Sequence, residues 1–174
     1  MSPTALRMLA VLALGVSALS ACAPTPEPTP TPSPAFASEE EAFAAAEATY
    51  REFTRRLNKV DTSDPATFEP LYELSTGDFE ASDRKAYSAM HADEIKVDGE
   101  TRVLSFTGTE SSPPYESATA VVCLDVSDVK VTDANGVSQV APDRPDVYGL
   151  SIDFVVERGT YVISSAQVES ESQC

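Results

Sequence analysis

The chain has 174 residues with 28 acidic and 12 basic side chains, and its formal net charge is −16 at pH 7. The length fits one ordinary domain plus short extra segments, which excludes a long multidomain enzyme. Because nucleic-acid phosphates repel so acidic a chain, we expect no nucleic-acid partner.

Residues 1–21 have the organisation of a signal peptide. A basic residue, Arg7, precedes an apolar run from Met8 to Leu19 that is too short to span a bilayer as a mature helix. The run leads into Leu19-Ser20-Ala21-Cys22, which resembles the lipobox of bacterial lipoproteins. This resemblance implies cleavage before Cys22 and a diacylglycerol thioether on its sulfur. The alternatives are an ordinary secretory signal with a chance cysteine, or a buried helix.

The membrane is an expected partner of this chain, because a lipid on Cys22 would insert into it. Removal of residues 1–21 takes away Arg7 and no acid, so the mature chain is even more acidic and charge cannot hold it to an anionic surface. Acyl chains such as palmitate do so instead, since each buried methylene contributes about 0.8 kcal/mol. We therefore expect a lipid-anchored protein on the extracytoplasmic face of the cell membrane.

Residues 22–37 are predicted to be the lipidated cysteine and a Pro/Thr-rich tether. Proline stands at every second position from Pro24 to Pro34, which favours polyproline II and offers no apolar pattern for a core. At about 3.1 Å per residue, this stretch reaches roughly 35 to 40 Å. We expect one folded domain over residues 38–174.

The domain is predicted to open with helices. Ser38-Glu39-Glu40-Glu41 fits a capping box, in which the Ser38 hydroxyl accepts from the Glu41 amide and the Glu41 carboxylate accepts from the Ser38 amide. Apolar residues then recur every three or four positions, which predicts a helix to about Lys59. These positions are Phe43, Ala46, Tyr50, Phe53, Leu57 and Val60.

Two further helices are predicted before the pattern changes. Asp64-Pro65 is a helix-start signal, and Pro70 makes this second helix short or kinked before Gly77 ends it. A third helix is predicted from Ser82 to about Ala92.

From Ile95 onward, β-branched residues alternate with polar ones, which indicates strands. Arg158-Gly159 is predicted to be a tight hairpin turn, and residues 133–136 another turn. The expected strands cover residues 101–106, 117–126, 129–132, 148–157 and 160–168. Because helices precede strands, the pattern predicts an α+β fold with helices on an antiparallel sheet.

This order of elements resembles one superfamily. A first helix carrying Tyr50 and Phe53, a helix ending near Gly77, the stretch Gly77-Asp78-Phe79 and then a long meander are similar to the cone-shaped nuclear transport factor 2-like proteins. The resemblance implies a curved antiparallel sheet around the helices, with a pocket inside the cone. A cystatin-like helix-on-sheet fold is the alternative.

The candidate pocket side chains are Tyr50, Phe53 and Tyr72. An enzyme of isomerase or dehydratase type would need a carboxylate and a hydrogen-bond donor facing an apolar pocket, where burial raises the pKa of the carboxylate. Tyr50 is a candidate donor, although its spacing with Phe53 also suits an ordinary core aromatic.

Other catalytic or metal-binding patterns are weak. His91-Ala92-Asp93-Glu94 supplies too few ligands for a metal site by itself, and Asp125, Asp128 and Asp133 lack the spacing of an EF-hand loop. We expect no catalytic residue, no metal and no cofactor. The sequence thus favours a noncatalytic module that binds an unknown protein or a small apolar ligand, with a small pocket enzyme as the alternative.

Cys123 and Cys174 are predicted to form a disulfide. With Cys22 taken by lipid, these two cysteines remain in an oxidising compartment, where an even pair indicates a bridge. The alternative is two free thiols, one buried and one at a frayed terminus.

Overall fold

A computed structural model describes residues 34–169 and Cys174. The predicted signal peptide, Cys22 and most of the predicted tether lie outside the described residues. The helices are α1 (Glu39–Leu57), α2 (Glu69–Tyr72) and α3 (Gly77–Ala92), and a 3₁₀ turn covers Pro65–Thr67. The strands are β1 (Lys96–Asp98), β2 (Arg102–Ser111), β3 (Ser117–Asp125), β4 (Lys130–Thr132), β5 (Val147–Glu157) and β6 (Thr160–Val168).

Helix α1 begins at the predicted cap, and one half of the capping box differs from the expectation. The Ser38 hydroxyl accepts from the Glu41 amide at 3.2 Å, whereas the Glu41 carboxylate accepts from the amide of Ala37 at 2.8 Å. The helix ends at Leu57, two residues before Lys59. Its last turn tightens, because Lys59 and Val60 donate to carbonyls three residues back instead of four.

The second helical segment is short, as its prolines predict. The Asp64 carboxylate accepts from the Ala66 amide at 3.0 Å to start the 3₁₀ turn, and α2 has only four residues. Gly77, expected to end this segment, is instead the first residue of α3. Helix α3 thus begins five residues before its predicted start at Ser82. Hydrogen bonds to distant residues fix this start, because the Thr76 amide donates to the Ile163 carbonyl and the Thr76 hydroxyl donates to the Glu157 carboxylate.

The predicted α+β class is confirmed. Strands β2, β3, β5 and β6 form an antiparallel sheet in that order, and β1 pairs with β4 in a separate two-stranded ladder. Arg158 and Gly159 form the predicted hairpin turn between β5 and β6, both with positive φ, 53° and 84°. Strand β2 runs five residues beyond its predicted end, because pairing with β3 holds a stretch whose Thr-Gly-Thr-Glu-Ser composition resembles a loop.

One face of the large sheet packs on the helices and forms the core. In β5 the predicted alternation holds, since Ile152 and Phe154 are fully buried and Leu150 packs beside them. Each large apolar side chain buried in this way contributes about 1.5 to 3 kcal/mol. The helix α1 contributes Ala42, Ala46, Tyr50 and Phe53, and the other strands contribute Ala118, Ala120, Val122, Tyr161 and Ile163.

Packing begins earlier than the expected boundary at Ser38. Phe36, which the sequence assigns to the tether, is only 8% exposed, and its ring stacks on Tyr161 with 4.6 Å between ring centroids. The ring is apolar and stands next to the helix cap, so burial on β6 removes it from water. The last residues of the predicted tether therefore belong to the folded domain.

Glycine at position 108 lets α1 approach the sheet closely. A Cβ at this position would lie 2.4 Å from the Phe43 ring, which is far inside van der Waals contact. We expect Gly108→Ala to lower the free energy of unfolding by about 1 to 3 kcal/mol, measured by urea denaturation. The double variant Gly108→Ala/Phe43→Leu should show a smaller penalty for the added methyl group. An equal penalty in both backgrounds would contradict this contact.

Candidate functional site

The first candidate site is an open cleft of about 430 Å³ between the C-terminal half of α1 and the start of β2. Four of its lining residues are basic, Arg51, Arg55, Lys59 and Arg102, and we call it the basic cleft. Arg51 and Arg55 lie on one side of α1, and Lys59 follows four residues later in the turn after the helix. This cluster was not predicted, although the spacing of Arg51, Arg55 and Lys59 is visible in the sequence.

A pair of hydrogen bonds holds the two walls of the basic cleft together. The Asn58 side-chain amide donates to the Thr101 carbonyl at 2.8 Å, and its oxygen accepts from the Thr101 amide at 3.0 Å. Thr54, which is buried, also lines the cleft and donates its hydroxyl to the Tyr50 carbonyl. Hydrogen bonds between neutral groups thus fix the distance between the end of α1 and the start of β2.

Carboxylates orient the guanidinium groups at the edge of the cleft. Arg51 pairs with Glu47 at 2.8 Å, and Arg55 pairs with Glu52 at 2.5 Å. Hydrogen bonds from Arg55 and Arg56 lower the pKa of Glu52 to about 2, so this carboxylate stays charged at neutral pH.

Arg102 on the opposite wall has two acidic partners. It pairs with Asp125 at 3.3 Å and also with Asp128. Lys59 differs from the three arginines, because within residues 34–169 it forms no ion pair.

The second candidate site is a larger cleft of about 940 Å³ beside the end of α3 and β1, which we call the α3–β1 cleft. Its lining includes His91, Glu94 and Lys96. His91 Nδ1 lies 2.8 Å from the Thr62 carbonyl, so the ring joins the last turn of α3 to the loop after α1. No group of three or more potential metal-ligating side chains occurs among the described residues.

The candidate pocket residues lie in packed regions and not on the walls of either cleft. Tyr50 and Phe53 are 4% and 7% exposed in the main core, and burial raises the pKa of Tyr50. Tyr72 is also buried, and the Arg84 guanidinium carbon lies 3.9 Å from its ring centroid. On the inner side of the sheet, Phe154 fills the space beside Tyr161.

Asp83 on α3 is a partly buried acid that the sequence analysis missed. One carboxylate oxygen is buried without a hydrogen-bond partner among the described residues, and burial raises the pKa of the group to about 6. Burial raises the pKa values of Tyr72 and Tyr87, and the negative charge of Asp83 acts on both in the same direction. The signal was available, since Phe79, Asp83 and Tyr87 recur every four residues and put the acid on the apolar side of α3.

We expect Asp83→Asn to stabilise the protein at neutral pH. A folded-state pKa of about 6, above the ordinary 3.8, means that the ionised carboxyl costs stability above pH 6 and that this cost disappears below about pH 4. After reduction for partial exposure and solvent screening, the gain should be about 1 kcal/mol at pH 7.5. Urea denaturation at pH 4 and pH 7.5 measures it.

The matched control is Asp78→Asn, which removes an exposed acid from the first turn of the same helix. This change should slightly lower stability at pH 7.5, because a carboxylate near a helix N-terminus is favourable. Loss of stability at pH 7.5 in Asp83→Asn would contradict the buried-charge explanation.

The two cysteines predicted to pair lie at disulfide distance. The sulfur atoms of Cys123 and Cys174 are 2.02 Å apart, and their Cα atoms are 5.7 Å apart. In β3 the neighbours Val122 and Leu124 face the core, so Cys123 lies on the outer face of the sheet, away from the helices. The C-terminal residue is thereby joined to an inner strand of the sheet.

The described residues contain no helix that is both long and apolar enough to cross a membrane. No protein-family model matches the chain, and no curated protein matches its sequence. Among solved structures, the intermembrane space region of chloroplast protein ARC6 is similar, with a TM-score of 0.53 and 12% identity over 72% of this chain and 95% of that one.

Two bacterial structures show weaker similarity. Aln2 from a Streptomyces species has a TM-score of 0.46 and 16% identity over 77% of this chain and 93% of that one. A protein from Catenulispora acidiphila has a TM-score of 0.47 and 12% identity over 73% and 89% of the two chains. The likeness to the ARC6 region concerns the fold alone, and the two lower scores carry no functional argument.

Proposed function

We propose that this chain is a bacterial lipoprotein anchored through Cys22 on the extracytoplasmic face of the cell membrane. The lipobox-like Leu19-Ser20-Ala21-Cys22 supports the anchor. The pairing of Cys123 with Cys174 supports an oxidising compartment, because disulfides persist there and are rare in the cytosol. The element order supports membership of the domain in the nuclear transport factor 2-like superfamily.

In this proposal the domain is a noncatalytic binding module. The observation that carries it is the packed space between helices and sheet, which Tyr50, Phe53, Phe154 and Tyr161 occupy with aromatic rings. An enzyme of isomerase or dehydratase type needs an open apolar pocket there to hold its substrate. A ligand or partner protein instead has access to the basic cleft and the α3–β1 cleft.

A small pocket enzyme is the second candidate, and Asp83 is the observation that favours it. A carboxyl with a pKa of about 6 is suited to gain and lose a proton near neutral pH, and Tyr87 follows one helical turn later on the same side of α3. Opening of the packing around α3 would be needed before a substrate could reach this carboxyl.

Incubation with metabolites from the culture fluid separates the two functions. Full-length protein in an uncharged detergent is added at an amount far below that of the small molecules, and mass spectrometry follows each molecule over time. A binding module retains a molecule unchanged in at most a stoichiometric amount. Loss of one molecule over many turnovers, abolished by Asp83→Asn but not by Asp78→Asn, would contradict the noncatalytic proposal.

A further inference from the structure

The basic cleft brings four cationic side chains together on a strongly acidic protein. Of the 12 basic residues in a chain with a net charge of −16, four line this one cleft. Glu100 is the acidic residue on its lining. Carboxylates pair with Arg51, Arg55 and Arg102 and offset much of the mutual repulsion of the cations, so Lys59 is the charge in the cleft that has no acidic partner among the described residues.

The three arginines keep donors available beyond their internal ion pairs. Arg51 and Arg55 each use Nε and Nη2 on a neighbouring glutamate, which leaves Nη1. Arg102 uses both Nη atoms on Asp125 and Asp128, which leaves Nε. A carboxylate on one edge fixes the planar group, and the remaining N–H groups can donate to an anion.

Stabilisation of the helix end does not account for the cluster. Basic side chains are common in the last turn of a helix because they interact with its unpaired carbonyls. Here the carbonyls of Thr54, Arg56 and Leu57 already accept backbone amides at 2.9 to 3.0 Å. Lys59 is therefore not needed as a cap, and it adds a fourth positive charge to a cleft where the structure gives it no acidic partner among the described residues.

The size and charge of the cleft select the ligand. A volume of about 430 Å³ lies within the range of small-molecule sites, roughly 300 to 1,000 Å³. A phosphate group suits guanidinium donors and a lysine charge, because its tetrahedral oxygens can accept from several directions. A long polyanion is disfavoured, since the rest of the surface would repel it.

We propose that the basic cleft binds a phosphate group, carried by a soluble small molecule or by a lipid headgroup. This inference rests on the proposed binding role of the domain and names its ligand chemistry. Arg51, Arg55, Lys59 and Arg102 supply the charge, and the Asn58–Thr101 hydrogen bonds keep the two walls at a fixed separation.

The test uses full-length protein in an uncharged detergent at low salt. One arm titrates sodium pyrophosphate, and the other adds phosphatidylglycerol to the micelles, with phosphatidylcholine as the zwitterionic comparison. Calorimetry gives the affinity, and nuclear magnetic resonance of backbone amides and arginine Nε–H groups locates the site. We expect saturable shifts at the basic cleft in at least one arm, and the responding arm identifies the source of the phosphate.

Substitution of single lysines supplies the matched comparison. Lys59→Gln should weaken binding about tenfold, which is typical for loss of one charge-assisted contact. Lys59→Arg should retain binding, and Lys130→Gln, which removes an exposed lysine on β4 outside the cleft, should leave it unchanged.

Two results would overturn the inference. One is the absence of saturable shifts in both arms, and the other is an equal response of basic residues across the whole surface. Neither result affects membrane attachment through Cys22 or the turnover assay, so failure of phosphate binding is distinguishable from failure of the proposed function.

Discussion

Replacement of Cys22 by alanine is expected to remove nearly all of the protein from the membrane fraction or to leave the precursor uncut. The substitution deletes the thiol that would carry the diacylglycerol, and each buried methylene of the acyl chains contributes about 0.8 kcal/mol to membrane binding. The net charge of −16 provides no substitute attraction to an anionic surface. Fractionation followed by mass spectrometry should show a wild-type mature chain that starts at acylated Cys22.

The control for this experiment removes the other two cysteines. The double variant Cys123→Ser/Cys174→Ser keeps Cys22 and should remain in the membrane fraction, even if its domain is less stable. Recovery of membrane-bound, mature wild-type protein with an unmodified Cys22 would refute the lipid anchor.

The same double variant should lose about 4 kcal/mol of unfolding free energy. The bridge closes a loop with a sequence separation of 51, and the chain-entropy model relates that length to this stabilisation. Because typical domains are stable by about 5 to 15 kcal/mol, the loss is large. It corresponds to a fall in Tm of about 10 to 20 °C, which calorimetry can measure.

Reduction of the wild-type protein provides an independent check on the bridge. Treatment with dithiothreitol should lower the Tm of the wild type and leave that of the double variant unchanged. Thiol titration of the denatured, unreduced mature protein should detect no reactive thiol at either position. Two reactive thiols, or a double variant as stable as the wild type, would refute the bridge.

Local sequence patterns were sufficient for most of the fold. The Ser38 cap, the β5 alternation and the Arg158-Gly159 turn depend on neighbouring residues, so the sequence alone identified them. The start of α3 at Gly77 and the full length of β2 depend on pairing with distant strands. Such tertiary contacts override local preference and are not visible in a single segment.

The candidate sites were harder to predict than the fold. Tyr50 and Phe53 were correctly placed on the inward side of α1, but their spacing does not show whether a pocket or packed side chains surround them. The basic cleft combines α1 with Arg102, which is far away in sequence. The Asp83 spacing was visible, yet its missing hydrogen-bond partner among the described residues depends on the packing around α3.

The stacking of Phe36 on Tyr161 has a mechanical consequence if the domain is held by its N-terminus, as the proposed lipid anchor on Cys22 requires. Tension along the tether enters the fold at this stacked pair, so Phe36 is the first contact to bear the load. If more of the domain unfolds under tension, the disulfide keeps the loop from Cys123 to Cys174 closed. The measured extension is therefore shorter, by about 170 Å, than that of the fully extended chain. Stretching of single oxidised molecules should therefore release the helices and β2 while β5 and β6 remain inside a closed ring.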